Sequence, residues 1–313
     1  MLPIKTVEIT EMGFSGDGMA RDHGDILFVP YGLPGDHVRV QMTQTRDRQS
    51  WGRLIEVVRP SSARVSQPPC RHFFDCGGCT LQHWRLDSYQ AWKQDVVLGR
   101  CRPAGLVPRV VHPMRSIPPG TRRRATFCAR RVGGRVVLGF NRHHSDHVVD
   151  VSECPVVVPA MIAILPDLRI LMDIWMGAGR SADVTVVELD TGLDVLVTGD
   201  LPLELIQQEA IAEFVRTQNI ARLSRRSSER APIEVLVQPK VAKMTVGGVV
   251  IDPPPGCFLQ PSRAGEAALM DLVLQGVGPG PGMRVADLFA GMGTFTYPMA
   301  ARGADVYAAD VDV

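Results

Sequence analysis

Short alternating patterns of apolar and polar residues organise the first sixty positions of the chain. Residues 4–9 alternate with a period of two, and further short runs rich in Val, Ile and Leu follow at 25–30, 38–42 and 51–58, with a glycine-rich loop at 13–18. Such alternation predicts β-strands that bury one face. Several short strands in this space predict a small barrel of the OB type, a fold that often binds single-stranded nucleic acid.

The middle of the chain mixes helical and strand patterns. A Ser/Pro-rich linker at 60–69 leads into a cysteine cluster, and apolar spacing predicts helices at 86–100, 159–175 and 204–215. Strands are predicted at 125–129, 136–140 and 148–151, and again within 183–198 and 233–251. These elements predict a central α+β domain.

From residue 279 the pattern changes to that of an α/β domain. An apolar strand at 285–289, a tight turn at 290–293, a helix at 294–302 and a second strand at 305–310 predict the opening βαβ unit of a Rossmann-like sheet. We therefore divide the chain into three predicted domains, residues 1–60, 61–250 and 251–313.

Composition excludes several classes of protein. The chain has 45% apolar and 21% charged residues, which argues against disorder, and no apolar run reaches the ~20 residues that span a bilayer. The N-terminus lacks the apolar segment of a signal peptide, so we expect a cytoplasmic protein without a membrane partner. A net charge of +1 means that any contact with nucleic acid has to come from a local patch.

One stretch offers such a patch. Residues 121–145 contain seven arginines and no acidic residue. Guanidinium groups bind phosphates and stack on bases, so we expect an exposed face that binds RNA. Its candidate residues are Arg122, Arg123, Arg130 and Arg142. The alternative is ordinary solvated charge, because arginine outnumbers lysine 30 to 4 in the whole chain, as GC-rich coding produces.

The cysteines form an informative pattern. Cys70, Cys76 and Cys79 lie within ten residues, with Gly-Gly before the third, and Cys154 follows much later in front of a proline. Three clustered cysteines and one remote cysteine are typical of iron–sulfur ligation. A structural zinc site and simply buried thiols are the alternatives. The remaining cysteines, at 101, 128 and 257, are interpreted as small core residues.

The glycine turn at 290–293 favours one cofactor over another. A nicotinamide fingerprint needs a third glycine where this chain has Thr296, whereas an acid inside the first strand and another after the second suit S-adenosylmethionine. Gly291 and Gly293 let the backbone approach a ligand. Asp310 lies 23 residues after Asp287, where a carboxylate can accept both ribose hydroxyls; Asp312 is the alternative. A turn that merely connects strand and helix is the other interpretation.

Several motifs occur together in one order along nearly the whole chain. They are the four cysteines, Gln82-His83, Gly139-Phe140 with Arg142, residues 149–155, Phe258 to Pro261, and Asp287 to Phe295. Together they resemble the RNA 5-methyluridine methyltransferases, most closely the iron–sulfur enzymes that methylate uracil in large-subunit (23S) ribosomal RNA.

The resemblance implies a multidomain fold, α/β plus β. It consists of an N-terminal OB-like TRAM β-barrel that binds RNA, a central α+β iron–sulfur domain, and the start of a Rossmann-like methyltransferase domain. By matching positions, Cys70, Cys76, Cys79 and Cys154 hold a [4Fe-4S] cluster. Gln260, Phe289, Thr294 and Asp310 contact S-adenosylmethionine. The chain departs from the family's usual residues at Ser262, Ala290 and Asp310.

The family's chemistry needs a cysteine that adds to uracil C6, so that C5 becomes nucleophilic enough to take the methyl group. No cysteine follows Cys257, and Asp252-Pro253-Pro254 precedes the Gln260 segment, so it does not match the family's later Asp-Pro-Pro loop. We therefore expect this chain alone to be an inactive, monomeric portion of an RNA (uracil-5-)-methyltransferase with ribosomal RNA as partner. The alternative is a non-catalytic RNA-binding iron–sulfur protein.

Overall fold

The structure is a computed structural model that describes residues 3–22, 24–143, 145–177 and 180–311. The chain divides into two compact units, Met1–Ser116 and Ile117–Val313. Within the described residues, no helix is long and apolar enough to cross a membrane.

The first unit is built on one sheet. Its strands are β1 (Ile4–Glu8), β2 (Glu11–Met12), β3 (Gly18–Asp22), β4 (Asp25–Val29), β5 (His37–Arg46) and β6 (Gln49–Arg59), in the order β1-β5-β6-β4-β3-β2. The inward positions of β4 and β5 form a small core that includes Leu27, Val29, Val38 and Val40. Strands are therefore confirmed where the alternating pattern predicted them, and the region around the glycine loop adds the short strands β2 and β3.

The predicted linker at 60–69 is fixed to this sheet by a buried carboxylate. Asp36 accepts hydrogen bonds from the backbone N–H of Leu33 at 2.7 Å and of Ser61 at 2.8 Å. The same carboxylate forms an ion pair with Arg64, whose guanidinium also donates to the carbonyl of Tyr31 at 2.7 Å. The helix α1 (Leu86–Cys101) and a 3-10 turn (Arg102–Ala104) follow.

The second unit contains a seven-stranded sheet. Its elements up to residue 237 are β7 (Arg124–Val132), β8 (Arg135–Asn141), β9 (Val148–Asp150), α2 (Pro159–Ala163), α3 (Leu165–Trp175), β10 (Ser181–Glu188), β11 (Leu193–Thr198), α4 (Leu205–Thr217), β12 (Ile220–Arg226) and β13 (Glu234–Val237). The strand order is β13-β12-β11-β10-β7-β8-β9. In this sheet β11 and β12 pair in parallel, and the other neighbouring strands pair antiparallel. The helices pack their apolar sides against one face of the sheet, where Phe127, Val186, Trp175 and Phe214 are buried in one core.

The rest of this unit begins with the antiparallel hairpin β14 (Met244–Val246) and β15 (Val249–Ile251) and the helix α5 (Arg263–Val277). The Rossmann-like elements follow as β16 (Arg284–Leu288), α6 (Thr296–Ala300) and β17 (Asp305–Ala309). β16 and β17 pair in parallel, as a βαβ unit requires. The helix between them is shorter than the predicted 294–302.

Three further elements differ from the sequence predictions. The single helix predicted at 159–175 is two helices, because Pro166 lies in the first turn of α3 and has no N–H to continue the ladder of α2. The strand β12 and the helix α5 were not predicted at all.

Candidate functional site

The glycine turn after β16 has an unusual backbone. Phe289 has a φ of +61°, and Gly291 and Gly293 have φ values of +54° and +83°. A left-handed conformation costs a bulky residue roughly 1–2 kcal/mol, and such outliers cluster at functional sites. The turn is tied to the end of β17, because the N–H of Ala290 donates to the carbonyl of Ala309 at 3.1 Å. The ring of Phe289 is 83% exposed.

Two carboxylates flank this turn at the same edge of the parallel strand pair. Asp310, directly after β17, accepts a hydrogen bond from the backbone N–H of Gly291 at 2.6 Å. Asp287, inside β16, accepts one from the hydroxyl of Thr296 at 2.6 Å. The predicted residues Gly291 and Asp310 are thus brought into direct contact. Thr294 is half-buried between the turn and α6.

Gly293 has no room for a side chain. A Cβ at this position would lie 2.6 Å from the ring of Tyr297. The close approach packs α6 directly onto the turn, and the N–H of Tyr297 donates to the carbonyl of Gly293 at 3.1 Å. A glycine is therefore required here for packing as well as for its φ.

The segment with Gln260 lies beside the same elements. Leu259 is buried in a small core with Met244 and Val246, and Met292 and Tyr297 from the glycine turn and α6 pack against that core. Ser262 caps α5, because its hydroxyl accepts the N–H of Gly265 at 3.0 Å. The structure therefore places the Gln260 segment and the glycine turn around one apolar cluster, although they are some thirty residues apart in sequence.

Arg123 is not on an exposed face, so that expectation is wrong. Its side chain is 1% exposed, and its guanidinium donates to the carboxylate of Glu266 at 2.6 Å and to the carbonyl of Gln260 at 3.2 Å. A buried guanidinium has to be paired, and the acid that pairs it lies 143 residues later in the chain. The lack of acidic residues near Arg123 in the sequence therefore did not mean that Arg123 is unpaired and exposed.

The other three candidate arginines differ in exposure. Arg122 and Arg142 are exposed. Arg130 is half-buried and donates to the carbonyl of Ala182 at 3.1 Å and to the carboxylate of Asp183 at 3.4 Å. Their predicted contact with RNA stays a prediction.

The sequence analysis did not predict a second buried ion pair in this unit, which contacts the residues just before Gln260. Arg222 on β12 forms a fork with Asp194 on β11, with N–O distances of 2.8 and 3.1 Å. Asp194 also accepts the N–H of Gly256 at 3.0 Å, and Arg222 donates to the carbonyl of Pro253 at 2.9 Å. Arg124 adds a bond to the carbonyl of Cys257 at 3.1 Å. In the sequence, this ion pair is indicated by one charged residue inside each of two apolar runs, Asp194 in the first and Arg222 in the second.

The seven cysteines are thiols in this structure. Cys76 is buried and accepts the N–H of Gly78 at 3.4 Å, and Cys154 packs against the main core of the second unit. Across the described ranges, no group of three or more His, Cys, Asp or Glu side chains is placed to hold a metal ion. The predicted iron–sulfur site at Cys70, Cys76, Cys79 and Cys154 therefore stays a prediction.

Two of the remaining cysteines are in environments that suppress nucleophilicity. Burial raises the pKa of the Cys257 thiol to about 11, with Asp194 acting in the same direction against three arginines. Burial likewise raises the pKa of Cys128 to about 11. Because the thiolate is the reactive form, neither residue is a suitable nucleophile at neutral pH. Cys257 packs against the small core around Leu259, which agrees with its interpretation as a core residue, whereas Cys128 is half-buried and lies outside the described core clusters.

Comparison with known proteins identifies the family. The TRAM domain family matches residues 4–55, the six-stranded sheet of the first unit. An uncharacterised RNA methyltransferase of Brucella suis is 38% identical over 314 aligned residues, which cover 100% of this chain and 72% of that protein. This chain belongs to the RNA methyltransferase family. A 23S rRNA (uracil(1939)-C(5))-methyltransferase of Alkalilimnicola ehrlichii is 32% identical, covering 97% of this chain and 70% of the relative.

A solved structure supports the fold of this methyltransferase. The tRNA (uracil-54, C5)-methyltransferase of Pyrococcus abyssi, in complex with S-adenosyl-L-homocysteine, matches with a TM-score of 0.70 over 97% of this chain and 79% of that chain. At 19% identity, this match concerns the fold alone. The resemblance to the RNA 5-methyluridine methyltransferases is confirmed.

Proposed function

We propose that this chain binds S-adenosylmethionine at the glycine turn and serves the methylation of uracil C5 in RNA, with 23S ribosomal RNA as the substrate. The proposal is carried by two observations: Asp310 accepts the N–H of Gly291, and the glycine turn and the Gln260 segment pack around one core. Ligands of open α/β sheets bind outside the carboxyl ends of the strands, which is where this turn lies.

Each residue of the turn has a task that follows from its chemistry. The carboxylate of Asp310 accepts hydrogen bonds from ribose hydroxyls, and the bare backbone at Gly291 and Gly293 allows the cofactor to approach. The exposed ring of Phe289 offers a face for the adenine, while Gln260 and Thr294 supply polar contacts. S-adenosylmethionine, when bound, supplies the methyl group as an electrophile.

The test is titration of this chain with S-adenosylhomocysteine by calorimetry. We expect saturable binding that Asp310→Asn weakens by about tenfold, because the amide loses the charge that strengthens the ribose bonds. Asp305→Asn is the matched control, since Asp305 is an exposed aspartate at the opposite end of β17, away from the turn. No heat of binding to the unaltered chain would refute the cofactor assignment.

For the RNA we propose that the TRAM unit and Arg122, Arg130 and Arg142 contact the phosphate backbone. Neutralising Arg122 and Arg142 together should weaken RNA binding and reduce its salt dependence, because fewer counterions are released. Arg216→Gln is the control, because Arg216 is exposed on α4 and paired with Glu213. Unchanged affinity and salt slope would leave these arginines as solvated surface charge.

A [4Fe-4S] cluster at the four cysteines remains a proposal from the family resemblance, supported by their spacing in the sequence alone. Iron and sulfide analysis of anaerobically purified protein tests it, with Cys76→Ala as the variant expected to lose both. Colourless protein without iron would remove the cluster from the proposal.

We also propose a cytoplasmic location and a monomeric state. Gel filtration with light scattering tests the monomeric state.

A further inference from the structure

Arg123 links three parts of the second unit through its side chain and its backbone. Its Nε donates to the carbonyl of Gln260 at 3.2 Å, and one terminal nitrogen donates to the carboxylate of Glu266, in the first turn of α5, at 2.6 Å. The backbone N–H of Arg123 donates to the carbonyl of Pro261 at 2.8 Å, and its carbonyl accepts the N–H of Glu188 on β10 at 2.8 Å. Arg123 thus joins the end of β10 to both ends of the Gln260–Glu266 segment.

Stability alone does not explain an arginine at this position. The other terminal nitrogen, Nη1, is buried and has no hydrogen-bond partner among the described residues. An unsatisfied buried donor is unfavourable, and apolar residues often replace a buried ion pair at no cost or with a gain in stability. What an apolar pair cannot do is donate to the carbonyl of Gln260. A lysine keeps the charge for Glu266 but lacks the planar fork that reaches both partners.

We propose that Arg123 is a positioning residue for the cofactor site, which fixes the backbone of Gln260 relative to the glycine turn. This inference rests on the proposed binding of S-adenosylmethionine. The Gln260 segment and the turn share an apolar core, which contains Leu259 and against which Met292 and Tyr297 pack. Apolar packing does not by itself fix the rotation of a backbone carbonyl. The hydrogen bond from Arg123 supplies that constraint, because a hydrogen bond is directional.

The experiment compares four proteins by calorimetric titration with S-adenosylhomocysteine and by thermal unfolding. They are the unaltered chain, Arg123→Lys, the double variant Arg123→Met/Glu266→Leu, and Arg131→Lys. Arg131 is the matched control because it lies on β7, the strand that begins directly after Arg123, and also donates to several groups, including the carbonyls of Gly134 and Met176 and the carboxylate of Asp173. None of its partners lies in the Gln260–Glu266 segment.

We expect Arg123→Lys to bind the cofactor product at least about fivefold more weakly, the net effect of one hydrogen bond. The double variant should unfold at the same or a higher temperature than the unaltered chain, yet bind as weakly as Arg123→Lys or more weakly. Arg131→Lys should unfold at a lower temperature and bind normally. These results separate positioning from stability, because affinity and unfolding temperature then change independently.

Three outcomes would overturn the inference. Normal binding by Arg123→Lys would show that the Gln260 carbonyl needs no donor, and this variant decides the question if the double variant does not fold. Normal binding by a folded double variant would likewise show that the Gln260 carbonyl needs no donor. Weakened binding by Arg131→Lys would show that affinity merely follows stability. If the unaltered chain itself fails to bind, the proposed function fails instead, so the two failures are distinguishable.

Discussion

His83 should make the stability of the first unit depend on pH below neutrality. The side chain is fully buried, and the rings of Tyr31, Phe73 and Phe74 surround it at centroid distances of 6.0, 5.2 and 6.4 Å. Burial, followed by the charge of Arg64, lowers the pKa of His83 from 6.5 to about 4, although Asp36 and the backbone of Tyr31 act in the opposite direction. The folded unit therefore keeps the imidazole neutral.

The sign and size of the effect follow from linkage. The unfolded chain binds a proton at His83 as the pH falls below about 6.5, whereas the folded chain does not do so until about pH 4. The free energy of unfolding is unaffected by His83 above pH 6.5 and decreases as the pH falls from there to about 4. Each tenfold difference in proton affinity is worth about 1.4 kcal/mol, so the full loss is about 3 kcal/mol.

Urea unfolding at a series of pH values measures this loss. Trp51, Trp84 and Trp92 lie in the first unit and Trp175 in the second, so fluorescence reports mainly on the unit that contains His83. His83→Leu should show a pH dependence that is flatter by about 3 kcal/mol between pH 7 and pH 4, whatever its stability at pH 7. The control is His112→Leu, because His112 lies on an exposed stretch and its removal should leave the curve unchanged.

Parallel curves for the unaltered protein and His83→Leu would refute this reasoning. So would a resonance of the His83 ring that titrates near pH 6.5 in the folded protein, because an unshifted pKa carries no linkage.

Three further predictions concern the second unit. Gly293→Ala should weaken the binding of S-adenosylhomocysteine by about tenfold or more, because Gly293 has a φ of +83° and an added methyl group would clash with Tyr297. Calorimetry measures the binding, and the control variant Gly280→Ala should bind normally, because a methyl group at position 280 would meet no neighbouring atom. Ser262→Ala should lower the free energy of unfolding by about 1 kcal/mol through loss of the cap on α5, and Ser262→Thr should retain most of it in urea titrations; equal stability of both variants would contradict the cap. Iodoacetamide should alkylate Cys257 at pH 8 at least about tenfold more slowly in the folded than in the unfolded chain, as followed by mass spectrometry, because its raised pKa leaves little thiolate; equal rates would contradict the shift.

Elements with one apolar face could be predicted from the sequence because their periodicity is local. The strand β4 buries Leu27 and Val29 and leaves Phe28 half-buried, so its pattern is visible in five residues. The glycine turn could be predicted for a related reason. Its φ values are set within the turn, and Gly291 and Gly293 are the residues that adopt them without strain.

Elements whose polar residues are buried could not be predicted in this way. In β12, Arg222 and Ser224 are buried beside apolar neighbours, so the strand lacks the alternation of a half-exposed strand. Arg222 can be buried because Asp194 on the neighbouring strand pairs with its charge, and no local sequence pattern identifies Asp194 as the partner. Arg123 was misassigned for the same reason, because its acid, Glu266, lies on a helix that the sequence reasoning did not find.

Arg123 and Arg222 are buried for a common physical reason, which concerns the second face of the seven-stranded sheet. Helices cover the first face and satisfy their own backbone hydrogen bonds. The segment at 253–260 contains no helix or strand, so its buried carbonyls need donors from elsewhere. Three arginines supply them, since Arg222, Arg124 and Arg123 donate to the carbonyls of Pro253, Cys257 and Gln260 in turn. An arginine-rich strand can therefore indicate a loop laid across a sheet as well as a surface for RNA, and only the position of the loop distinguishes the two.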